Sequence, residues 1–139
     1  MKFQLSDFEI EFYDQVVELW RRCEGIGLSG ADSPENIGAY LRRNPGMSFV
    51  AIGGGEVVGA ALSGHDGRRG YIHHLAVRPQ WRGHGVGREL VDRCLQALAE
   101  AGIQKCHLFI YADNEEGMAF WRSVGWRPRE ELVVVSKNL

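Results

Sequence analysis

The segment that most constrains this chain is residues 80–88, which read QWRGHGVGR and lie between a predicted strand and a predicted amphipathic helix. Its three glycines stand at alternate positions: Gly83, Gly85 and Gly87. Glycine lets the backbone approach a ligand closely, and the first helical turn offers N–H groups that have no partner within the helix. Because the helix dipole adds positive potential there, the segment predicts a phosphate site flanked by Arg82 and Arg88.

Two common phosphate loops are excluded by the same residues. The pattern G-x-x-x-x-G-K-[ST] does not occur, and G-x-G-x-x-G fails because Arg88 stands in place of its last glycine. A dinucleotide site would also need an acidic residue at the end of the next strand, and the first carboxylate there is Asp113. The loop therefore indicates a different phosphate-bearing ligand.

Hydrophobic periodicity predicts a mixed α/β sheet within a single domain of residues 1–139. The predicted strands are residues 2–5, 47–52, 57–62, 71–77, 105–111 and 131–136. Helices are predicted at residues 11–23, 34–43 and 86–102, and between Asn114, as N-cap, and Gly125. Antiparallel hairpins come first, and one strand-helix-strand unit follows near the middle of the chain.

Composition excludes several kinds of partner. The chain has 16 Lys and Arg against 18 Asp and Glu, a net charge of −2, which argues against nucleic acid. No apolar run approaches the roughly 18 residues of a membrane span, and residues 1–7 lack the apolar core of a signal peptide. Three cysteines without a C-x-x-C pair are typical of reduced thiols. We expect a cytoplasmic protein without a metal site.

Residues 82–87 fit the pattern [RQ]-x-x-G-x-[GA], and the strand end LAVRP at residues 75–79 precedes them. A second element is Asn114 opening a helix, followed by the pairs Phe120-Trp121 and Gly125-Trp126. In both elements, and over essentially its whole length, the chain resembles the GCN5-related N-acetyltransferases (GNAT). The resemblance implies a mostly antiparallel sheet flanked by about four helices, with two strands splayed at a cofactor cleft.

The resemblance also implies that the chain uses acetyl-CoA to acetylate a primary amine of a small molecule or of a protein N-terminus. Backbone amides of the loop would hold the pyrophosphate, and the strand end before it would pair with the pantetheine arm. The implied cofactor residues are Leu75, Ala76, Val77, Arg82, Gly83, His84, Gly85, Val86, Gly87, Arg88 and Asn114. Asn114 serves equally well as a plain N-cap.

Acetyl transfer to a lysine-like amine needs a base, because such an amine is neutral in only about 0.04% of molecules at pH 7. Strand alternation predicts that His73 shares a face with Tyr71 and Leu75, while His74 lies on the opposite face and cannot join His73 on a metal. His73 is thus the candidate base, although it can equally contact substrate or be bonded in the core. The family-like oxyanion donor is the backbone N–H of Leu75.

One residue departs from the family pattern. The usual acid is a tyrosine at the position of Trp121, whose indole N–H donates a hydrogen bond but no proton. Its place on an apolar helical stripe favours packing. Water or Tyr111 would then protonate the leaving thiolate. The alternative is a module that binds acetyl-CoA without turnover.

The resemblance implies that two glycine-containing segments, residues 25–33 and 64–70, face the acceptor. Asp32 and Asp66 would attract a cationic amine, and Tyr71 would line the pocket, although each aspartate is equally suited to bond its own turn. The acceptor is a small molecule or a peptide amine. The protein is expected to be a monomer or a homodimer.

Overall fold

The computed structural model describes all 139 residues. The chain falls into two compact units, Met1–Phe109 (the N-terminal unit) and Ile110–Leu139 (the C-terminal unit). The strands are β1 (Phe3–Asp7), β2 (Phe49–Gly53), β3 (Glu56–His65), β4 (Gly70–Val77) and β5 (Cys106–Leu108). The helices are α1 (Tyr13–Arg22), α2 (Pro34–Arg43), α3 (Val86–Glu100) and α4 (Glu115–Ser123). None of these helices has the length and apolar composition needed to cross a bilayer.

The N-terminal unit is built on one sheet, in which the five strands lie in chain order. All neighbouring strands pair antiparallel except β4 and β5, which are parallel. This confirms the prediction of a mixed, mostly antiparallel sheet. The apolar face of α1 joins the sheet in a core that contains Phe8, Val16, Val17, Leu19, Trp20, Cys23, Ile37, Val50, Val57, Ala60, Leu62 and Ala76.

Local signals set the element ends as predicted. The Ser33 hydroxyl accepts a hydrogen bond from the Asn36 N–H at 3.2 Å, and Pro34 is the first residue of α2. In the turn between β2 and β3, Gly54 and Gly55 adopt φ of +59° and +78°, which only glycine adopts freely. The turn therefore closes the predicted hairpin.

Strand β4 contains a bulge that overturns the predicted alternation of its side chains. Ala60 pairs with Ala76 and Leu62 with His73, so two residues of β4, His74 and Leu75, lie opposite one residue of β3. His74 takes φ of +53° and is the one non-glycine residue with positive φ. The extra residue shifts the phase of the strand. His73 and His74 therefore line the same cavity, and the prediction of opposite faces was wrong.

Strands β4 and β5 pair over a short stretch. They pair only from Gly70 and Cys106 to Ile72 and Leu108, and β4 then continues to Val77 without a partner on that side. Strand β5 is accordingly shorter than the predicted 105–111. This short pairing is compatible with the expected splay.

Helix α3 sits close to β3 because Gly59 has no side chain. A Cβ at Gly59 would lie 2.8 Å from Cγ1 of Val86 and 3.1 Å from Cδ1 of Leu90. Val86 is also the first residue of α3, directly after the glycine-rich loop. The close contact of helix and strand therefore fixes where the loop ends.

We expect Gly59→Ala to lower the free energy of unfolding by about 1 to 3 kcal/mol, because the added methyl group would crowd Val86 and Leu90 of α3. Urea denaturation measures the change in the free energy of unfolding. Gly30→Ala is the matched control, since a Cβ there meets nothing within 4 Å. An equal loss in both variants would contradict this packing argument.

In the C-terminal unit, Asn114 caps α4 by accepting a hydrogen bond from the Gly117 N–H at 2.9 Å. Trp121 is buried and packs edge-on against Phe120 and Trp126, with ring centroids 5.3 and 4.9 Å away. Packing thus accounts for Trp121, as its apolar stripe predicted.

The predicted final strand at residues 131–136 is wrong. The sheet contains five strands, and none comes from this segment. Its valines are largely exposed, with Val133 at 85%, Val134 at 68% and Val135 at 89%. The preference of valine for strands reflects packing against neighbours, and these side chains have none to pack against.

Candidate active site

The glycine-rich loop has the conformation expected of an anion site. Gly83 and Gly85 adopt φ of +80° and +84°, and Gly85 is the N-cap of α3 with no side chain bonded to the helix start. The first intrahelical bond runs from the Glu89 N–H to the Gly85 carbonyl at 3.0 Å. The three preceding N–H groups, from Val86 to Arg88, therefore lack intrahelical partners. A Cβ at either positive-φ glycine would meet nothing within 4 Å, so a ligand has room there.

Two contacts hold the loop in place. Nε of Arg82 donates a hydrogen bond to the Val77 carbonyl at 3.2 Å, which ties the loop to the end of β4. The ring of Trp81 lies on Gly53, where a Cβ would come within 2.5 Å of it. The sequence analysis treated Gly53 only as a hairpin glycine. It missed the contact with Trp81, because the two residues are far apart in the sequence.

A cavity of about 310 Å³ opens beside β4 in the N-terminal unit. Its lining combines loop and helix residues with two histidines of β4: Gly27, Ser29, Ala31, Asp32, Asn36, Ile37, Tyr40, Leu62, His73 and His74. The structure thus brings together two predicted site residues, Asp32 and His73. It adds His74, which strand alternation had placed on the opposite face, and Tyr40.

His73 lies among aromatic rings. Its ring stacks on Tyr71 and Phe109, with centroids 6.3 and 6.2 Å away, and the Tyr40 ring meets it edge-on at 6.2 Å. Burial lowers the pKa of His73 below its usual 6.5, the neighbouring His74 lowers it further, and Asp32 opposes the shift. Since a lowered pKa favours the neutral ring at neutral pH, His73 is free to accept a proton there.

The lowered pKa of His73 also predicts how stability depends on pH. The unfolded state binds a proton near pH 6.5, whereas the folded state binds it only at lower pH, so stability falls as the pH drops below about 6.5. We expect His73→Asn to lose less unfolding free energy than the wild type between pH 7 and pH 5. Urea denaturation at both pH values measures it. Parallel losses in both proteins would contradict the burial of His73 as a neutral ring.

His74 forms a polar pair with Asp32. Its Nε2 lies 3.0 Å from Oδ1 of Asp32, and the two side chains are 20% and 11% exposed. Asp32 also accepts a hydrogen bond from the Ser29 N–H at 3.1 Å, as the turn interpretation predicted. The carboxylate therefore caps its own turn and contacts the cavity histidine at once.

Leu75 lies inside the bulge of β4. The register pairs neither Leu75 nor His74 with a residue of β3. A bulge disrupts the hydrogen-bond ladder locally and leaves its extra residue unpaired. The local backbone is thus suited to offering an N–H group to a ligand.

The other predicted residues lie elsewhere. Asp66 accepts hydrogen bonds from the N–H groups of Arg69 and Arg68, both at 2.8 Å, and these bonds lower its pKa. Tyr71 is half-buried beside His73. In the C-terminal unit, Tyr111 is exposed and its carbonyl accepts a hydrogen bond from the Asn114 N–H.

Two glycines in the segments expected to face the acceptor have packing roles. A Cβ at Gly64 would lie 2.5 Å from Asn44 and 2.6 Å from the Tyr40 hydroxyl. A Cβ at Gly70 would lie 2.8 Å from Leu98. Of the remaining glycines in those segments, Gly27 does line the cavity.

Sequence comparison places this site in a known family. The model of the acetyltransferase (GNAT) family matches residues 13–126. The chain is 35% identical over 137 residues to an acetyltransferase of Pectobacterium atrosepticum, covering 98% of this chain and 95% of that protein. It is 32% identical over 137 residues to an acetyltransferase of Photorhabdus laumondii, with the same coverage. The chain belongs to the GNAT family of acetyltransferases.

Solved structures agree with this assignment. An acetyltransferase from Streptococcus agalactiae is 20% identical, with a TM-score of 0.80 over 99% of this chain and 92% of that one. The PaiA N-acetyltransferase of Thermoplasma acidophilum, in complex with coenzyme A, is 16% identical with a TM-score of 0.79 over 91% of each chain. An aminoglycoside acetyltransferase from a soil metagenomic sample, in complex with sisomicin, is 20% identical with a TM-score of 0.76 over 99% and 95%. The fold is that of the GNAT enzymes, whose acetyl donor is acetyl-CoA.

Proposed function

We propose that this acetyltransferase moves the acetyl group of acetyl-CoA to a primary amine of a small molecule or of a protein N-terminus. One observation carries the proposal: β4 runs from the histidine-lined cavity directly into the loop of free amides at the start of α3. A donor held by its phosphates at residues 82–88 and extended along β4 would bring its thioester to the cavity.

The residues at the loop suit this donor. The pyrophosphate would bind the amides of Gly83 to Arg88, with positive charge from Arg82 and Arg88. Beyond Ile72, the edge of β4 that faces β5 has no strand partner and would bind the pantetheine arm through Leu75, Ala76 and Val77. The N–H of Leu75 would stabilise the oxyanion of the tetrahedral intermediate. We propose that Asn114 contacts the pantetheine arm and that Tyr111 protonates the leaving thiolate.

The reaction proposed is direct attack of the amine on the thioester. The acceptor nitrogen bonds to the acetyl carbon, the carbon–sulfur bond breaks, and His73 takes a proton from the nitrogen. A covalent acetyl-enzyme would need an activated nucleophile such as a thiolate. Burial raises the pKa of Cys94 to about 12 and that of Cys106 to about 11, so neither thiol is suited to that role.

The cavity also suggests the charge of the acceptor. The Asp32 carboxylate lines it, and an ammonium group would be attracted to that charge. Tyr71, which stacks on His73, and Asp66, in the turn before β4, are proposed as further acceptor contacts. We propose that the whole chain acts as one catalytic domain in the cytoplasm, as a monomer or a homodimer.

An amine panel with acetyl-CoA tests the proposal, with release of the coenzyme A thiol as the readout. The panel contains spermidine, sisomicin, Nα-acetyl-lysine and trialanine, and calorimetry measures acetyl-CoA binding in parallel. We expect turnover of at least one amine. Tight binding of acetyl-CoA with no turnover of any amine would instead support a non-catalytic binding module, the alternative raised by Trp121.

A further inference from the structure

His74 is the one non-glycine residue held in the left-handed region, with φ of +53°. A side chain in this conformation costs free energy, and such residues concentrate at functional sites. The bulge that requires it has a clear geometric effect, since it turns a second imidazole into the cavity that His73 already lines. The ring centroids of His73 and His74 are 6.5 Å apart.

Helix α1 holds both members of the His74–Asp32 pair. Nε1 of Trp20 donates a hydrogen bond to the His74 carbonyl at 2.8 Å, and its ring meets the His74 ring edge-on with centroids 4.9 Å apart. The Tyr13 hydroxyl donates to the Asp32 carbonyl at 2.6 Å. Side chains of α1 therefore fix the backbones of both His74 and Asp32. These contacts hold the two side chains at their separation of 3.0 Å.

The pairing selects a ring tautomer when Asp32 is ionised. An ionised carboxylate only accepts hydrogen bonds, so Nε2 of His74 would then be the donor. In the neutral ring, Nδ1 then keeps a lone pair and can accept a proton. A histidine with one nitrogen bound to a carboxylate and the other free is the arrangement of an oriented base.

Amide formation from an ammonium acceptor removes two protons from its nitrogen. An ammonium nitrogen loses one proton to become a nucleophile and a second after its bond to the acetyl carbon has formed. The electron pair of the broken carbon–sulfur bond stays on sulfur, so the thiolate can take up one of these protons and solvent receives the other. Two imidazoles line the cavity, and the two losses can be divided between them.

We propose that His74, oriented by Asp32, removes the first proton from the acceptor ammonium before attack, while His73 takes the second. This inference rests on the proposed function, because it assigns the two proton transfers of that reaction. Asp32 acts through His74 and is a positioning residue. The division of labour predicts that dependence on His74 increases with the basicity of the acceptor.

Two acceptors of different basicity test the proposal. The ε-amine of Nα-acetyl-lysine has a pKa near 10.4, whereas the α-amine of trialanine has a pKa of about 8 and is already partly neutral at pH 7. The variant His74→Asn removes the base, and asparagine tolerates the left-handed backbone. His74→Gly, which adopts positive φ freely, is the second variant.

We expect both His74 variants to lower kcat/KM about 100-fold for Nα-acetyl-lysine and less than about 10-fold for trialanine, with unchanged acetyl-CoA affinity. Equal losses for the two amines, or no loss for either, would overturn the proposal while leaving the proposed function intact. Absence of turnover by the wild type would overturn the proposed function and this inference with it.

Nitrogen NMR of the full chain tests the pair without any turnover. Histidine labelled with ¹⁵N reports which ring nitrogen carries the hydrogen. We expect His74 to be the Nε2–H tautomer in the wild type and to lose that preference in Asp32→Asn. A wild-type ring protonated on Nδ1, or a tautomer unchanged by Asp32→Asn, would overturn the orienting role of Asp32.

Discussion

Gly85→Asp is expected to weaken acetyl-CoA binding at least about 100-fold, a loss of about 2.7 kcal/mol. Gly85 has φ of +84° and faces open space at the N-terminus of α3, where the helix amides are free. A carboxylate there would meet the pyrophosphate of the donor, and two unit charges 4 Å apart repel by about 4 kcal/mol at an effective dielectric constant of 20. Calorimetric titration with acetyl-CoA measures the change in Kd.

The matched control is Gly85→Asn, which has nearly the shape of the aspartate variant but no charge. Both side chains tolerate positive φ better than most residues do, so both variants should fold. We expect the asparagine variant to bind acetyl-CoA at least about tenfold more tightly than the aspartate variant. A tenfold difference in Kd corresponds to about 1.4 kcal/mol, which is less than the repulsion of about 4 kcal/mol. Equal Kd values for the two variants, or a wild-type Kd for Gly85→Asp, would contradict a phosphate site at this loop.

The loop could be predicted from the sequence because its physics is local. Glycines at alternate positions, an adjoining strand and an amphipathic helix all lie within residues 71–102. The structure places Gly83 and Gly85 at positive φ and starts α3 at Val86, close to the prediction. No long-range contact is needed to make helix amides point at a ligand.

The bulge of β4 could not be predicted, although the histidines that it rearranges were noticed. Strict alternation assumes one residue per partner, and nothing in the sequence at His73 and His74 signals that β3 supplies one residue too few. The rings meet in one cavity only because of contacts distant in sequence, such as the bond from Trp20 to the His74 carbonyl. Asp32 was selected as a candidate, but its contact with His74 spans 42 positions.

The errors elsewhere have the same origin. The valines of residues 131–136 have high strand propensity, but a strand also needs a partner with free hydrogen-bonding groups. Gly53, Gly64 and Gly70 looked like turn or loop glycines, yet each accommodates a side chain that is remote in sequence. At these three positions the need for glycine comes from a tertiary contact, which residue type alone does not reveal.

His73→Asn is expected to lower kcat by about 100-fold to 10,000-fold for every amine that the wild type acetylates. Asparagine has no nitrogen that accepts a proton, so the cavity would lose the proposed acceptor of the second proton. Acetyl-CoA affinity should not change, since His73 lies outside the loop at residues 82–88. Steady-state kinetics over the amine panel, with calorimetry for the donor, separates these two effects.

The control for this loss is His107→Asn. His107 also touches Tyr71, with ring centroids 5.9 Å apart, but it is not among the residues that line the cavity. If His73 acts by accepting a proton, His107→Asn should keep turnover within a few-fold of the wild type. If His73 acts only by packing against Tyr71, the two variants should lose similar activity. An equal loss would therefore contradict the proposed role of His73 as a proton acceptor in the reaction.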